Sequence, residues 1–168
     1  AATPVVKGIT AIRNLGRVTV EGRGMQGGPG VAGRVFNAVA RTGASVLMIT
    51  QSSSEQSICF VVRTLDAPEV ISSLKREFEL EMLHQDIDDI ARRDEASIVA
   101  VVGAGMRGRP GIAAQVFGAV ADAGINIVSI AQGSSEYNLS LVTENGDVDH
   151  AVRAIHARFG LGQEPKNS

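Results

Sequence analysis

The chain has 168 residues, with 16 Lys and Arg against 18 Asp and Glu and an aromatic content of 4%. It therefore offers neither the basic footprint nor the stacking surface of a nucleic-acid binder. Its single cysteine, Cys59, excludes a disulfide framework within one chain, and no apolar run approaches the roughly 18–20 residues of a membrane-spanning helix.

Cys59 stands in an apolar run and reads as a buried thiol of a reducing compartment. No charged-then-apolar leader opens the chain, so the cytoplasm is the expected location. The start, Ala1-Ala2-Thr3-Pro4, lacks a Met and reads as that of a piece excised from something larger.

Val5 to Ile12 is rich in Val, Ile and Thr and is strand-like, with Asn14 and Gly16 as punctuation. Val18 to Glu21 alternates as a half-buried strand does. A glycine-rich turn, Gly22 to Gly28, leads to Pro29 at the expected first position of a helix. Val31, Val35, Phe36 and Val39 give that helix an apolar face, and Gly43 ends it. Ser45 to Thr50 and Ser57 to Thr64 are strands. The few polar residues between them allow only a hairpin, because a parallel crossover needs a dozen or more residues. Asp66-Ala67-Pro68-Glu69 reads as a capping box opening a helix with Val70, Leu74 and Phe78 inward, and Leu80 to Leu83 as a fourth strand. Gln85 to Glu95, charged and irregular, reads as a solvated linker.

The pattern then repeats. Ile49-Thr50-Gln51-Ser52-Ser53-Ser54-Glu55 returns 81 residues later as Ile130-Ala131-Gln132-Gly133-Ser134-Ser135-Glu136. Without a gap, Gly24-Met25 falls on Gly105-Met106, Pro29-Gly30 on Pro110-Gly111, and Val35-Phe36 on Val116-Phe117. About half the positions between Val18 and Val62 match their counterparts. The second copy has strands from Ile98 to Val102, Asn126 to Ile130 and Tyr137 to Thr143. Its helices are one from Pro110 to about Gly124 and one from Asp147 that carries Val148, Val152, Ile155 and Phe159.

The fold class is thus α+β: two ferredoxin-like βαββαβ modules, each an antiparallel four-stranded sheet with helices on one face. The boundaries are 14–95 for the first module and 96–161 for the second, with 162–168 a disordered tail. The second module lacks a closing strand after Phe159, and the spare strand 5–12 is expected to complete it. A simple hairpin of that strand with Val18 to Glu21 is the alternative.

Gly22-Arg23-Gly24-Met25-Gln26-Gly27 and Gly103-Ala104-Gly105-Met106-Arg107-Gly108 match the dinucleotide fingerprint between a strand and a helix. Against it, the next strand ends in Gln51 or Gln132 where a ribose-binding acid is wanted, and the hairpin excludes a doubly wound sheet. What remains is a helix N-terminus with exposed N–H groups, suited to a carboxylate. His84, His150 and His156 have no partner cluster for a triad or a metal, the serines beside Glu55 and Glu136 have no activating base, and Arg107 and Arg109 read as solvated turn residues. An RNA-binding sheet of this order needs strand aromatics, and the strands offer only Phe60 and Tyr137.

Two βαββαβ modules with G-M-x-x-x-P-G-x-x-x-x-V-F and the two Q-x-S-S-E phrases resemble the paired ACT domains of an aspartokinase. The likeness is greatest to the threonine-sensitive kinases fused to homoserine dehydrogenase, and it covers Val6 to about Leu161. It implies a regulatory region without catalytic residues, cofactor or metal, binding a pathway amino acid for feedback inhibition. The implied partners are the aspartokinase catalytic domain and, through sheet edges, a second copy. The implied effector site uses Gly27, Pro29, Gly30, Ala32 and Gln51, faced by Asn126 and Ile127. Its mirror uses Gly108, Pro110, Gly111, Ala113 and Gln132, faced by Ser45 and Val46, with Ser45 departing from the Asn126 pattern. Lysine-responsive relatives resemble one another in carrying an acidic residue midway along the strand before Q-x-S-S-E. Here Leu47 and Val128 hold that place, which favours threonine over lysine as the effector. The reading of another class is a nucleotide-binding enzyme that uses the glycine turns.

Overall fold

The structure, a computed structural model, describes residues 6–25, 30–50, 57–103, 111–132 and 138–160. The elements in order are β1 (Val6–Glu21), α1 (Val31–Ala40), β2 (Met48–Thr50), β3 (Ser57–Arg63), α2 (Ala67–Glu77), α3 (Glu79–Leu83), β4 (Asp89–Gly103), α4 (Ile112–Asp122), β5 (Ile127–Gln132), β6 (Asn138–Glu144) and α5 (Val148–Phe159). They divide into two units, one from Asn14 to Glu95 and one made of the chain up to Arg13 together with the chain from Ala96 onward. Two long strands supply residues to both: β1 passes from one to the other at Arg13–Asn14 and β4 at Glu95–Ala96.

In the unit 14–95 the strand order is β2-β3-β1-β4. β3 is antiparallel to both neighbours, with Val18 opposite Phe60, Val20 opposite Ile58 and Met48 opposite Val61. Alternation sends Val18, Val20, Phe60 and Val62 to the face covered by the helices, where they meet Val35, Ala38 and Val39 of α1 and Val70 and Leu74 of α2, with Phe78 just after it. Each such side chain, fully buried, contributes roughly 1.5–3 kcal/mol. Phe36 meets Phe60 edge to face, with ring centroids 5.7 Å apart.

The other unit orders its strands β1-β4-β6-β5. β6 is antiparallel to both neighbours, with Val99 opposite Leu141 and Val101 opposite Leu139. Its core joins Val116 and Val120 of α4 to Val148, Ala151 and Ile155 of α5, and Ile9 and Ala11 of the first strand pack against it. Arg13 adds an ion pair to Asp149 in the first turn of α5, and this guanidinium holds the Asp149 carboxyl below its ordinary range. β1 is one continuous strand from Val6, so the alternative hairpin of residues 5–12 with Val18 to Glu21 does not form. Asn14, at the point where β1 changes unit, takes the left-handed conformation with φ 59°, which Asn tolerates better than most residues.

Three local expectations are corrected. Leu80 to Leu83 is not a strand but lies in α3: Leu, Glu and Met are strong helix formers, and no β-branched residue opposes them. Gln85 to Glu95 is not a plain linker, because β4 starts at Asp89 and the buried Ile87 and Ile90 belong to the core of the unit 14–95. The capping box at Asp66 does not form. Asp66 makes no cap bond and instead accepts from Arg63 Nε at 3.0 Å. The tail 162–168 lies outside the described residues. Among the described residues no helix is long and apolar enough to cross a membrane.

Candidate functional site

Antiparallel pairing to a shared middle strand makes β1 and β2 parallel, so both finish at the same end of their sheet. The registers fix this: Glu21 is opposite Ser57, and Thr50 is opposite Cys59, two residues along the same strand. The glycine-rich turn after β1 and the polar phrase after β2 therefore leave the sheet at one end. The other unit repeats the arrangement, with Val102 opposite Asn138 and Gln132 opposite Leu139.

Helix α1 starts at that end. Gly30 caps it with φ 98° and no side-chain bond, and the first intrahelical bond runs from the Arg34 N–H to the Gly30 carbonyl at 2.9 Å. The N–H groups of Val31, Ala32 and Gly33 thus have no intrahelical partner and carry the positive end of the helix dipole. Gly111 does the same for α4 with φ 93°, and the Gln115 N–H reaches the Gly111 carbonyl at 2.9 Å. Neither helix presents an acidic residue in its first turn that would occupy the anion position itself.

Of the expected site residues, Gly30 and Ala32 are exposed at the start of α1, as are Gly111 and Ala113 at the start of α4. Gln132 ends β5, at the same sheet end as α4 begins. Gly27, Pro29, Gln51, Gly108 and Pro110 lie outside the described residues. Ser45 and Val46 precede β2, at the opposite end of that strand from Thr50, while Asn126 directly precedes β5 and Ile127 is its first residue, at the opposite end from Gln132. Within one unit these pairs and the helix start do not converge. Ile49 and Ile130 were not among the expected residues. They are 54% and 51% exposed at matching positions of β2 and β5, the outer strands of their units. The repeat itself is the signal that could have found them, since an isoleucine stands directly before T-Q and A-Q in both copies.

The first two glycines of the apparent dinucleotide fingerprint in the unit 14–95 serve the fold. A Cβ on Gly22 would stand 2.3 Å from the Asp86 carbonyl oxygen, and one on Gly24 2.8 Å from the same atom. The Gly24 N–H donates to that oxygen at 2.7 Å, so the turn is closed against the chain's own backbone where a pyrophosphate would need room. Among the described residues no three His, Cys, Asp or Glu side chains gather to hold a metal. A cleft of about 700 Å³ lies between the end of α1 at Arg41–Thr42 and α2 at Glu69, Ser73 and Glu77. It is at the far end of α1 from Gly30, and the Arg41–Glu77 ion pair, at 2.9 Å, is part of its wall.

Comparison with known proteins fits this geometry. The ACT domain family matches residues 18–78 and again 99–159, one match for each unit's repeat. The bifunctional aspartokinase/homoserine dehydrogenase of Haemophilus influenzae is 46% identical over 90% of this chain and 18% of its own length. The chloroplastic bifunctional aspartokinase/homoserine dehydrogenase of carrot (Daucus carota) is 42% identical over 94% of this chain and 17% of its own. The chain thus spans less than a fifth of these relatives. The crystal structure of the regulatory subunit of aspartate kinase from Thermus flavus superimposes with a TM-score of 0.77 at 29% identity, covering 92% of this chain and 99% of that one. The stretch that matches is the regulatory one, and the aspartokinase catalytic domain is not contained in it. The chain belongs to the ACT domain family, as a paired-ACT regulatory region of the aspartokinase type.

Proposed function

We propose that this ACT pair binds a free amino acid, threonine, and transmits feedback inhibition to an aspartokinase catalytic domain. The observation that carries the reading is that, in each unit, a helix N-terminus without a side-chain cap lies at the same sheet end as the end of the strand that leads into Gln-x-Ser-Ser-Glu. The N–H groups at Val31–Gly33 or Ile112–Ala114 receive the effector carboxylate. Gln51 or Gln132 supplies a hydrogen bond to the hydroxyl. Leu47, directly before β2, and Val128, second in β5, are apolar and offer no partner to a lysine ammonium, which would cost several kcal/mol to bury unpaired. The nucleotide-binding alternative loses its support where Gly22 and Gly24 close against Asp86.

A homodimer through sheet edges belongs to the same proposal. β2 and β5 end their sheets and expose Ile49 and Ile130, and an apolar open edge invites pairing with another strand. The setting proposed is the cytoplasm, whereas the carrot relative is chloroplastic by name.

The test is calorimetric titration with threonine and lysine, of the wild type and of the Gln51→Ala, Gln132→Ala double variant. Threonine is expected to bind more tightly. Loss of one buried hydrogen bond per site should weaken it by about 1–3 kcal/mol, roughly one to two decades. Tighter lysine binding, or unchanged threonine affinity in the double variant, overturns the assignment. Sedimentation that finds only monomer at tens of micromolar overturns the dimer.

A further inference from the structure

The duplicated modules pose a pairing problem that the apolar faces of their helices do little to solve. On the core side, α1 carries Val35, Phe36, Ala38 and Val39, and α4 carries Val116, Phe117, Ala119 and Val120, the same residues at the same spacing. At four core positions their partner helices differ by compensating changes, and beside these Ile71 faces Val152 and Ser73 faces Ala154 in the alignment. Ala67, Val70, Leu74 and Phe78 in one unit stand where Val148, Ala151, Ile155 and Phe159 stand in the other. At those four positions an Ala and a Val trade places and Leu becomes its isomer Ile, so their summed volume is unchanged. Cores tolerate volume-conserving exchanges of this kind. Helix-on-helix packing alone therefore discriminates little against α5 on α1 or α2 on α4.

The polar rim does discriminate. In the unit 14–95, Arg41 at the end of α1 donates to Glu77 at the end of α2 at 2.9 Å. At the repeat-equivalent positions of the other unit the charges are reversed: Arg158 on α5 donates to Asp122 at the end of α4 at 2.8 Å. The same contact is made twice with opposite polarity. Arg34 strengthens the first instance, reaching Glu77 at 2.8 Å and Glu81 at 2.6 Å, and its equivalent in the other unit is the uncharged Gln115. Misplacing α5 on α1 would set Arg158 among Arg34 and Arg41. Misplacing α2 on α4 would set Glu77 against Asp122. Both errors replace attraction by repulsion, which is how specificity is gained when attractive contacts are equal.

We propose that this inverted ion pair is an internal address that keeps each helix with its own module while the duplicated chain folds. Exchange between like modules is a characteristic misfolding route of repeated chains, and it is the route these charges oppose.

Disulfide trapping during refolding tests the proposal directly. The Ser73 hydroxyl donates to the Ala38 carbonyl at 2.7 Å, so position 73 lies beside Ala38, and Ala154 is its repeat equivalent. In a Cys59→Ser background, the reporter Ala38→Cys with Ser73→Cys records correct pairing, and Ala38→Cys with Ala154→Cys records α5 on α1. Each reporter is placed in three charge settings: native, exchanged (Glu77→Arg with Arg158→Glu) and neutral (Glu77→Gln with Arg158→Gln). The chains are diluted from urea under oxidising conditions. At low salt the ratio of 38–154 to 38–73 disulfide within single chains should rise several-fold from native to exchanged, with the neutral setting between. At about 1 M salt, where the screening length is about 3 Å, the three settings should converge. The trapping reads the folding chain itself, so it does not require the exchanged variant to reach a stable native state. Equal ratios in the native and exchanged settings at low salt overturn the proposal. So does a neutral ratio as high as the exchanged one, because lost native pairs would then explain the effect without any address.

Discussion

The two units build closely similar interiors and different surfaces. On the helices most buried side chains correspond, with an Ala and a Val trading places, while on the sheet Val18 and Val20 recur as Val99 and Val101 and Phe60 is replaced by Leu141. At the rim, the unit 14–95 ties its helices with a network in which Arg34 and Arg41 share Glu77, Arg34 also holds Glu81, and the Arg34 guanidinium lies 4.6 Å over the Phe78 ring. The other unit has Arg158–Asp122 between its helices and Arg13–Asp149 from its first strand. The apolar layout follows from what a four-stranded sheet needs to bury, and a duplicated sequence inherits that need twice. Surface charge is under no such constraint, which leaves it free to tell the copies apart.

The largest effect should come from breaking the equality of the cores. Leu74 and Ile155 are fully buried at equivalent positions. Leu74→Ala and Ile155→Ala should each cost about 2–5 kcal/mol, the range for truncating a buried aliphatic side chain. Urea denaturation followed by hydrogen exchange should place each loss in its own unit. A cost below about 1 kcal/mol for one of them would mean that the two interiors are not equivalent.

The turns come next. Gly22→Ala forces a methyl against backbone, 2.3 Å from the Asp86 oxygen and 2.6 Å from the Ile87 Cα, and should cost about 1–3 kcal/mol by overpacking. Gly30→Ala and Gly111→Ala meet open space but hold φ at 98° and 93°, so each should cost about 1–2 kcal/mol from the left-handed backbone alone. Equal losses at Gly30 and Gly111 in thermal unfolding would sharpen the comparison. A neutral Gly22→Ala would contradict the tight approach of the 86–88 segment.

Much of this plan was legible in the chain, because periodicity reports burial. Val35, Val39, Val70, Leu74 and Ile155 all stand where the helical spacing puts them. The start of β4 was not legible. Asp89-Ile90-Ala91-Arg92-Arg93 is polar enough to pass for a linker, and only Ile87 and Ile90 find the core. α3 was misread because a four-residue apolar and acidic run has no period of its own. At the site, the repeat pointed to both helix starts and both strand ends, while the ends were brought together by pairing to β3 and β6, a long-range fact. The rim network was missed although its residues were in view. Arg34 and Glu77 are 43 residues apart, too far for any local pattern, and only aligning Arg41 and Glu77 with Asp122 and Arg158 exposes the inversion.

The smallest effects concern that rim, and pH reads the carboxylates of the unit 14–95 there. Arg34, helped by Arg41, holds the Glu77 carboxyl below its ordinary 4.5, and Arg34 does the same for Glu81. A carboxyl depressed in the folded state stabilises fully above its unfolded value, and that stabilisation fades as pH falls through the folded one. The unit 14–95 should therefore lose this contribution only below about pH 4.5. A Glu77→Gln, Glu81→Gln variant should be less stable than wild type at pH 7, with the gap narrowing as the acid is increased. Asp122→Asn removes the partner of Arg158 in the other unit, where the side chains are 75% and 40% exposed, and such pairs contribute about 0.2–1 kcal/mol. Its cost at pH 7 should be the smaller of the two and should vanish in high salt, while the shared, half-buried Glu77 keeps part of its effect there. Urea midpoints at pH 7 and pH 3.5, each with and without about 1 M salt (screening length about 3 Å), decide this. If Asp122→Asn costs as much as the Glu77, Glu81 double variant, the rims are energetically alike, and the two units differ only in the sign of their charges.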